Sequence, residues 1–220
     1  MRRRRVCCFA VARRKNRLDE LLRICPKDSI IPIQADLCKK CSIEFVVHTV
    51  LDKAGKVDIF INNVGFGKTT KFEESSYEEI ENMITLNCIN TTYLTRLILS
   101  EMLKKGRGRI INISSTGGET TLKYMAVYGA TKHYINGFTK NLHRELKGTG
   151  VHVSAFMPGA MNTEFSFVSS GIQSEGGESA RKVAHAVFKK FEYRGPLLYP
   201  TFYAFLTVLF NKVMTIFRFR

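Results

Sequence analysis

Three polar side chains stand at fixed offsets in the stretch Ser115 to Lys132, which reads STGGETTLKYMAVYGATK. Tyr128 lies thirteen residues after Ser115, and Lys132 four residues after that. An offset of four puts Tyr128 and Lys132 on one face of a helix, one turn apart. A phenol has an ordinary pKa near 10. A neighbouring ammonium favours the phenolate and makes the side chain a usable proton donor or acceptor near neutral pH. A serine in the preceding loop can hydrogen-bond the oxygen that exchanges the proton. The trio is equipment for moving a proton to or from a carbonyl or alcohol oxygen. Tyr-x-x-x-Lys alone is a weak signal, because surface helices show it by accident.

The surrounding elements strengthen it. Arg109 to Ser114 reads as a buried strand ending at the serine, and Val57 to Ile61 as another, followed by Asn62-Asn63-Val64-Gly65. A third, Val151 to Met157, runs into Pro158-Gly159. Ser76-Tyr77-Glu78-Glu79 reads as a capping box opening a long helical stretch to about Lys105, interrupted near Asn87. Mid-helix asparagine is a poor helix former that diverts backbone hydrogen bonds.

Together these motifs, in this order from about Val6 to Thr163, resemble the short-chain dehydrogenase/reductase family. The resemblance implies a tetrad of Asn87, Ser115, Tyr128 and Lys132. Tyr128 is then the acid/base, and Lys132 holds the nicotinamide ribose and lowers the Tyr128 pKa. Ser115 orients the substrate oxygen, and Asn87 holds a water on the proton relay. The family's NNAG-type motif, here NNVG with Asn63 and Gly65, steadies the sheet and lines the adenosine side. Pro158, Gly159 and Thr163 match the PGxxxT segment that contacts the nicotinamide carboxamide. Asp36 matches the acidic residue at the adenine ring. The NNVG variant and the apolar tail look like the steroid and long-chain 3-oxoacyl branch.

Strand-helix-strand alternation along the chain implies an α/β fold with a doubly wound parallel sheet and helices on both faces. Val6 to Ala12 and Ile30 to Gln34 read as strands. Asn16 with Asp19 and Glu20 opens a helix to about Ile24, and Ser42 caps one running to Ala54, with Gly55 as its stop. Further helices are read over Tyr124 to Lys147 and Ser179 to Phe191, with a last short strand from Leu197 to Tyr199. Ligands bind outside the carboxyl ends of such strands. Arg13, Asn63, Ser115 and Pro158 all fall there. Arginine after the second strand of the fold accommodates the 2′-phosphate of NADP, so Arg13 and Arg14 point to NADP(H). Residues 160–178, rich in glycine and serine, read as a mobile segment closing over substrate.

The bounds agree with one catalytic domain over residues 1–200. The chain has 220 residues, 45% of them hydrophobic and 24% charged, which fits a globular core rather than disorder. Thirty-four Lys and Arg against nineteen Asp and Glu give a net charge of +15, suited to anionic partners. Nucleic acid is not expected, because no binding module for it is legible. Six cysteines at irregular spacings indicate reduced thiols and a cytoplasmic chain. The single Cys38-x-x-Cys41 is a poor zinc site, and no metal is expected. Met1 to Arg5 with Val6 to Ala12 is too short in its apolar part for a signal peptide and reads as a strand.

The tail, Thr201 to Arg220, has an apolar run interrupted by Asn211 and Lys212. It is too short for a confident spanning helix. Two readings stand: a helix on a membrane surface, and a helix packed over the pocket or in a subunit interface of a homodimer or homotetramer.

On function, two readings also stand. One is an NADPH-dependent reductase interconverting a hydrophobic carbonyl (steroid, fatty acyl or similar) and a secondary alcohol. The other is a non-enzymatic or incomplete member that does not bind cofactor. The family opens with a strand, a TGxxxGxG turn and a helix, whose backbone N–H groups hold the pyrophosphate. Here the chain begins where the second strand is expected, about thirty residues late, the size of one strand-helix repeat. The expectation is a truncated or mis-started version of an active reductase, one that folds poorly and holds NADPH weakly, its neighbouring strands left with unpaired edges.

Overall fold

The structure, a computed structural model, describes residues 7–171 and 177–218. The MRRRR run and the middle of the Gly/Ser-rich segment lie outside the described residues. Eight helices and eight strands alternate along the described chain. Strand β1 (Cys8–Ala12), helix α1 (Lys15–Ile24), strand β2 (Ile30–Gln34) and helix α2 (Lys40–Ala54) form the first half. Strand β3 (Ile59–Asn62) leads into α3 (Tyr77–Ile84), a π-helical turn at Thr85–Asn90 and α4 (Thr91–Lys104). Strand β4 (Gly108–Ile113), helix α5 (Ala126–Glu145) and strand β5 (Val151–Phe156) carry the rest of the core. Beyond them come β6 (Met161–Asn162), α6 (Glu164–Ser170), β7 (Glu178–Ser179), α7 (Ala180–Lys189), β8 (Leu197–Leu198) and α8 (Phe202–Arg218).

Every strand pairing is parallel. Strands β3-β4-β5-β8 form one piece, β1-β2 a second, and β6-β7 a small third. This is the parallel-sheet α/β fold, Rossmann-like, with helices flanking the sheet. Buried parallel strands read as continuous apolar runs. In β4 and β5, Ile110, Ile111, Val151, Val153, Ala155 and Phe156 are all at most 1% exposed. Ile43 and Val47 of α2, Leu94, Ile98 and Met102 of α4, and Leu142 of α5 close over Ile110, Val151 and Val153 in one cluster. At the other side of the four-stranded piece, β3 pairs only with β4 among the described residues, and Ile59 and Ile61 are 47% and 54% exposed.

Several boundaries differ from expectation for identifiable reasons. Helix α2 starts at Lys40, so Ser42 lies inside it and does not cap it. The Asp36 carboxylate accepts from the Cys38 backbone N–H at 3.1 Å, a side-chain turn that delivers the chain into the helix early. Helix α1 follows β1 almost directly, with Arg14 as the half-in residue, so Asn16 falls in its first turn and the acids beyond it. Gly55 ends α2 at φ +65°, as a left-handed C-cap requires. The Ser76–Glu79 capping box forms, each side chain bonding the other's backbone N–H at 3.2 Å. The long helix behind it runs on through the π-helical turn Thr85–Asn90, which carries Asn87. Within the segment read as mobile, residues 164–170 are helical. Thr163 starts that helix, its hydroxyl accepting from the Phe165 N–H at 3.3 Å.

Helix α8 packs by small residues. Ala204 and Val208 are buried, and Tyr203 lies against Gly159, where a Cβ would meet the ring at 3.2 Å. Lys212 pairs with Glu119 at 2.8 Å. One side of α8 therefore packs on this chain. The outward face remains apolar, with Phe202 73% and Phe210 65% exposed. Among the described residues, no helix is long and apolar enough to cross a membrane.

Candidate active site

β4 ends at Ile113, and the chain turns at Ser115 into a 3-10 turn, Thr116–Gly118. The Ser115 hydroxyl caps that turn, accepting from the Gly117 N–H at 3.1 Å. Gly118 lies against α5 so closely that a Cβ would stand 2.6 Å from the Lys132 carbonyl oxygen. The Asn136 amide holds the Gly118 carbonyl at 2.9 Å. That close approach carries Ser115 to the first turn of α5, where its hydroxyl lies near the Tyr128 phenol. One turn further, the Lys132 ammonium donates to the Ile113 carbonyl at 3.1 Å and lies 5.7 Å from the Tyr128 ring centroid.

Asn87 comes from the π-helical turn between α3 and α4, a local widening that often marks a functional position. Its amide donates to the Phe66 carbonyl at 2.8 Å and to the Thr131 hydroxyl at 3.1 Å, and its oxygen accepts from the Phe66 N–H at 3.1 Å. Asn87 therefore clamps the loop after β3. Gly65 in that loop faces the cluster: a Cβ there would stand 3.0 Å from Asn87 Oδ1 and 3.6 Å from Lys132 Nζ. Gly67 lies over the Tyr128 ring, where a Cβ would come within 2.6 Å. The Phe165 ring of α6 covers Tyr128 as well, at 5.4 Å between centroids. Gly65, Asn87, Ser115, Tyr128 and Lys132 thus meet in one place.

The electrostatics differ from the sequence expectation. Burial pushes the Tyr128 phenol above its ordinary value, opposed by the Ser115 hydrogen bond. The ammonium does not bring it down here. Burial instead lowers Lys132 itself to about 8. The reason is geometric: the lysine is directed to the Ile113 carbonyl, and the apolar cover over Tyr128 excludes water. Cys88 nearby is pushed up to about 11 by burial.

The other predicted residues are spread along the carboxyl ends of the strands. Arg13 is exposed after β1, its carbonyl accepting from Gln34 at 3.3 Å. Arg14 pairs with Glu164 of α6 at 2.8 Å. Asp36 serves the turn into α2. Asn63 is exposed beyond β3, while the buried Asn62 ties the sheet to α4 through the Thr91 carbonyl at 3.4 Å. The Pro158 carbonyl accepts from the Thr116 N–H at 2.9 Å, and Gly159 is covered by Tyr203. Thr163 caps α6. Sequence reasoning missed Phe66, Gly67, Thr131, Asn136, Glu164 and Phe165. Only Asn136, on the helical face of Lys132 at i+4, carried a readable signal.

These residues fit a nicotinamide dinucleotide at two points. Lys132 is a buried ammonium with no carboxylate partner among the described residues and two N–H groups beyond the one given to Ile113. Gly65 beside it leaves the space a Cβ would fill. The Arg14 guanidinium, just past β1, holds the Glu164 carboxylate and so can hold an oxyanion. Among the described residues, no cluster of ligating side chains that could hold a metal ion is found.

The chain is 33% identical over 153 residues to an uncharacterized oxidoreductase of Staphylococcus epidermidis, covering 70% of this chain and 66% of that protein. It is 35% identical over 162 residues to the NADP-dependent 3-hydroxy acid dehydrogenase YdfG of Escherichia coli (strain K12), covering 73% and 65%. The chain thus spans just under two thirds of the length of these relatives. Among solved structures, a short-chain dehydrogenase from Sphingobium yanoikuyae in complex with NADPH superposes with a TM-score of 0.81 at 28% identity, over 96% of this chain and 85% of that one. The short chain dehydrogenase family model matches residues 2–170, and the chain belongs to that family.

Proposed function

We propose that the protein is an NADPH-dependent oxidoreductase that interconverts a hydrophobic carbonyl and a secondary alcohol. The observation that carries this reading is the convergence of Asn87, Ser115, Tyr128 and Lys132 around Gly65. Nicotinamide, when bound, supplies the hydride for the carbonyl carbon. Tyr128, held as a neutral phenol by burial, gives its proton to the carbonyl oxygen. Ser115 positions that oxygen through its hydroxyl, which lies near the phenol. Lys132 binds the ribose with its remaining N–H groups. Asn87 fixes the loop that carries Gly65 and holds a water on the proton path. Asp36, Asn63, Pro158, Gly159 and Thr163 line the cofactor groove at the strand ends. Phe165 gives the substrate space an apolar wall. The Escherichia coli relative is named for 3-hydroxy acids, so 3-oxo acids join steroid and fatty-acyl ketones as substrates to assay.

NADP rather than NAD rests on the arginines after β1. Replacing Arg13 and Arg14 with uncharged residues weakens NADPH binding far more than NADH binding, because only NADPH carries the 2′-phosphate. Nicotinamide fluorescence on mixing reads both affinities. Equal losses would point to NAD or to no cofactor preference, and no binding of either to the unchanged protein would favour the non-enzymatic reading.

We propose further that the outward face of α8 is covered in the working, cytoplasmic protein. The exposed Phe202, Phe205, Leu206, Leu209 and Phe210 form a wide apolar stripe. An anionic membrane surface and a second subunit of a homodimer or homotetramer are its two candidate covers. Leu209→Ser with Phe205→Ser lowers vesicle affinity in the first case and dissociates the oligomer in the second. Neither change would mean the stripe has no partner.

A further inference from the structure

One carboxylate on α6 is held by two guanidiniums of α1. Arg14 Nη2 lies 2.8 Å from Glu164 Oε2, and Arg17 pairs with Glu164 Oε1. Arg14 is the N-cap of α1 and Arg17 stands three residues on, so both side chains reach the same side of the first turn. Two guanidiniums gripping one oxyanion is also the arrangement that suits a phosphate. The residue after Glu164 is Phe165, whose ring lies on Tyr128. The Ser169 carbonyl ties the far end of α6 to the Thr69 N–H at 2.7 Å. One short helix therefore places an acid on the arginines and an apolar ring on the phenol.

We infer that Arg14 and Arg17 together form the 2′-phosphate site, and that Glu164 occupies it internally, so that an entering phosphate releases α6 and uncovers Tyr128. The inference rests on the NADPH reading above and adds a residue, Arg17, and a coupling to it. Glu164 and the phosphate compete for the same N–H groups. Any ligand that displaces the carboxylate shifts the population towards the open helix by its own preference for that state. A cofactor without the 2′-phosphate has nothing to put between the arginines and leaves Phe165 in place. Selectivity for NADPH is thereby expressed at the phenol as well as at the adenosine end. All three side chains are about half exposed, so the latch is weak and a ligand of ordinary affinity opens it.

The test uses adenosine 2′,5′-bisphosphate, which carries the 2′-phosphate, against adenosine 5′-monophosphate, which lacks it. Hydrogen exchange is followed at the amides of residues 164–170, and affinity by calorimetry. The bisphosphate speeds exchange there in the unchanged protein and the monophosphate does not. Glu164→Gln exchanges fast without any ligand and binds the bisphosphate about two- to five-fold more tightly. Exchange that is the same in Glu164→Gln and the unchanged protein would overturn the latch. So would an unchanged or weaker affinity for the bisphosphate in that variant. The double change Arg14→Ala with Arg17→Ala separates the two levels. If it binds the bisphosphate as well as the unchanged protein, the NADPH reading of these arginines fails. If it loses binding while Glu164→Gln behaves as the unchanged protein, only the competition by Glu164 fails.

Discussion

Tyr128→Phe lowers kcat for NADPH-dependent carbonyl reduction by at least ~10²-fold, the usual worth of a positioned general acid. The change removes one oxygen and little else. The ring keeps its contacts with Phe165 and with the loop at Gly67, because those contacts are made by carbon atoms. Ser115 keeps the hydrogen bond from the Gly117 N–H. The fold and cofactor affinity should therefore stay close to those of the unchanged protein, and the loss should appear in kcat. The Ser115 hydroxyl cannot take over the proton transfer, since an alcohol is a far weaker acid than a phenol. A variant that consumes NADPH with a carbonyl substrate as fast as the unchanged protein would remove Tyr128 from the chemistry. A variant that also loses cofactor binding would give the phenol a binding role instead.

The parts of the site that could be read from sequence are those fixed by a local period or a strand end. Tyr128 and Lys132 share a face because a helix repeats every 3.6 residues, and that required only that Ala126–Glu145 be helical. Ser115 and Gly65 follow strands whose apolar runs are unmistakable. Asn87 could be suspected because asparagine sits badly in mid-helix, though not that a π-helical turn would carry it. What could not be read depends on contacts between distant segments. The Arg14–Glu164 pair joins residues 150 positions apart. Thr163 and Gly171 mark the ends of α6 locally, but nothing local shows that it covers Tyr128. The same holds for Gly118, whose neighbour is the backbone of α5, and for Gly159, whose neighbour is Tyr203 of α8. The pKa order was misjudged for a related reason. Sequence spacing gives the nearness of an ammonium and a phenol but not their desolvation, and here burial is the largest cause for both groups.

Lys132→Met makes the protein more stable at pH 7 by about 1–3 kcal/mol while abolishing its activity. The argument starts from the burial of the ammonium, which is 7% exposed and pairs with no carboxylate among the described residues. Its pKa falls from the ordinary 10.5 to about 8 in the folded chain, because the charged form has lost its water. That difference corresponds to about 3 kcal/mol. Below pH 8 both folded and unfolded chains carry the charge, and folding bears the whole desolvation cost. Above pH 10.5 neither carries it, and the cost is gone. Between these limits the unfolded chain binds more protons than the folded one, so stability rises with pH across that window. Methionine has nearly the length of lysine and no charge, so the variant bears no such cost at any pH. Part of the gain is lost because the Ile113 carbonyl is left without its donor, by about 1 kcal/mol. Urea unfolding at pH 7, 9 and 10.5 should show the advantage of the variant shrinking as pH rises. A variant less stable than the unchanged protein at pH 7 would mean that the ammonium is compensated in the fold. The stability cost would then no longer identify Lys132 as a group held ready for a ligand.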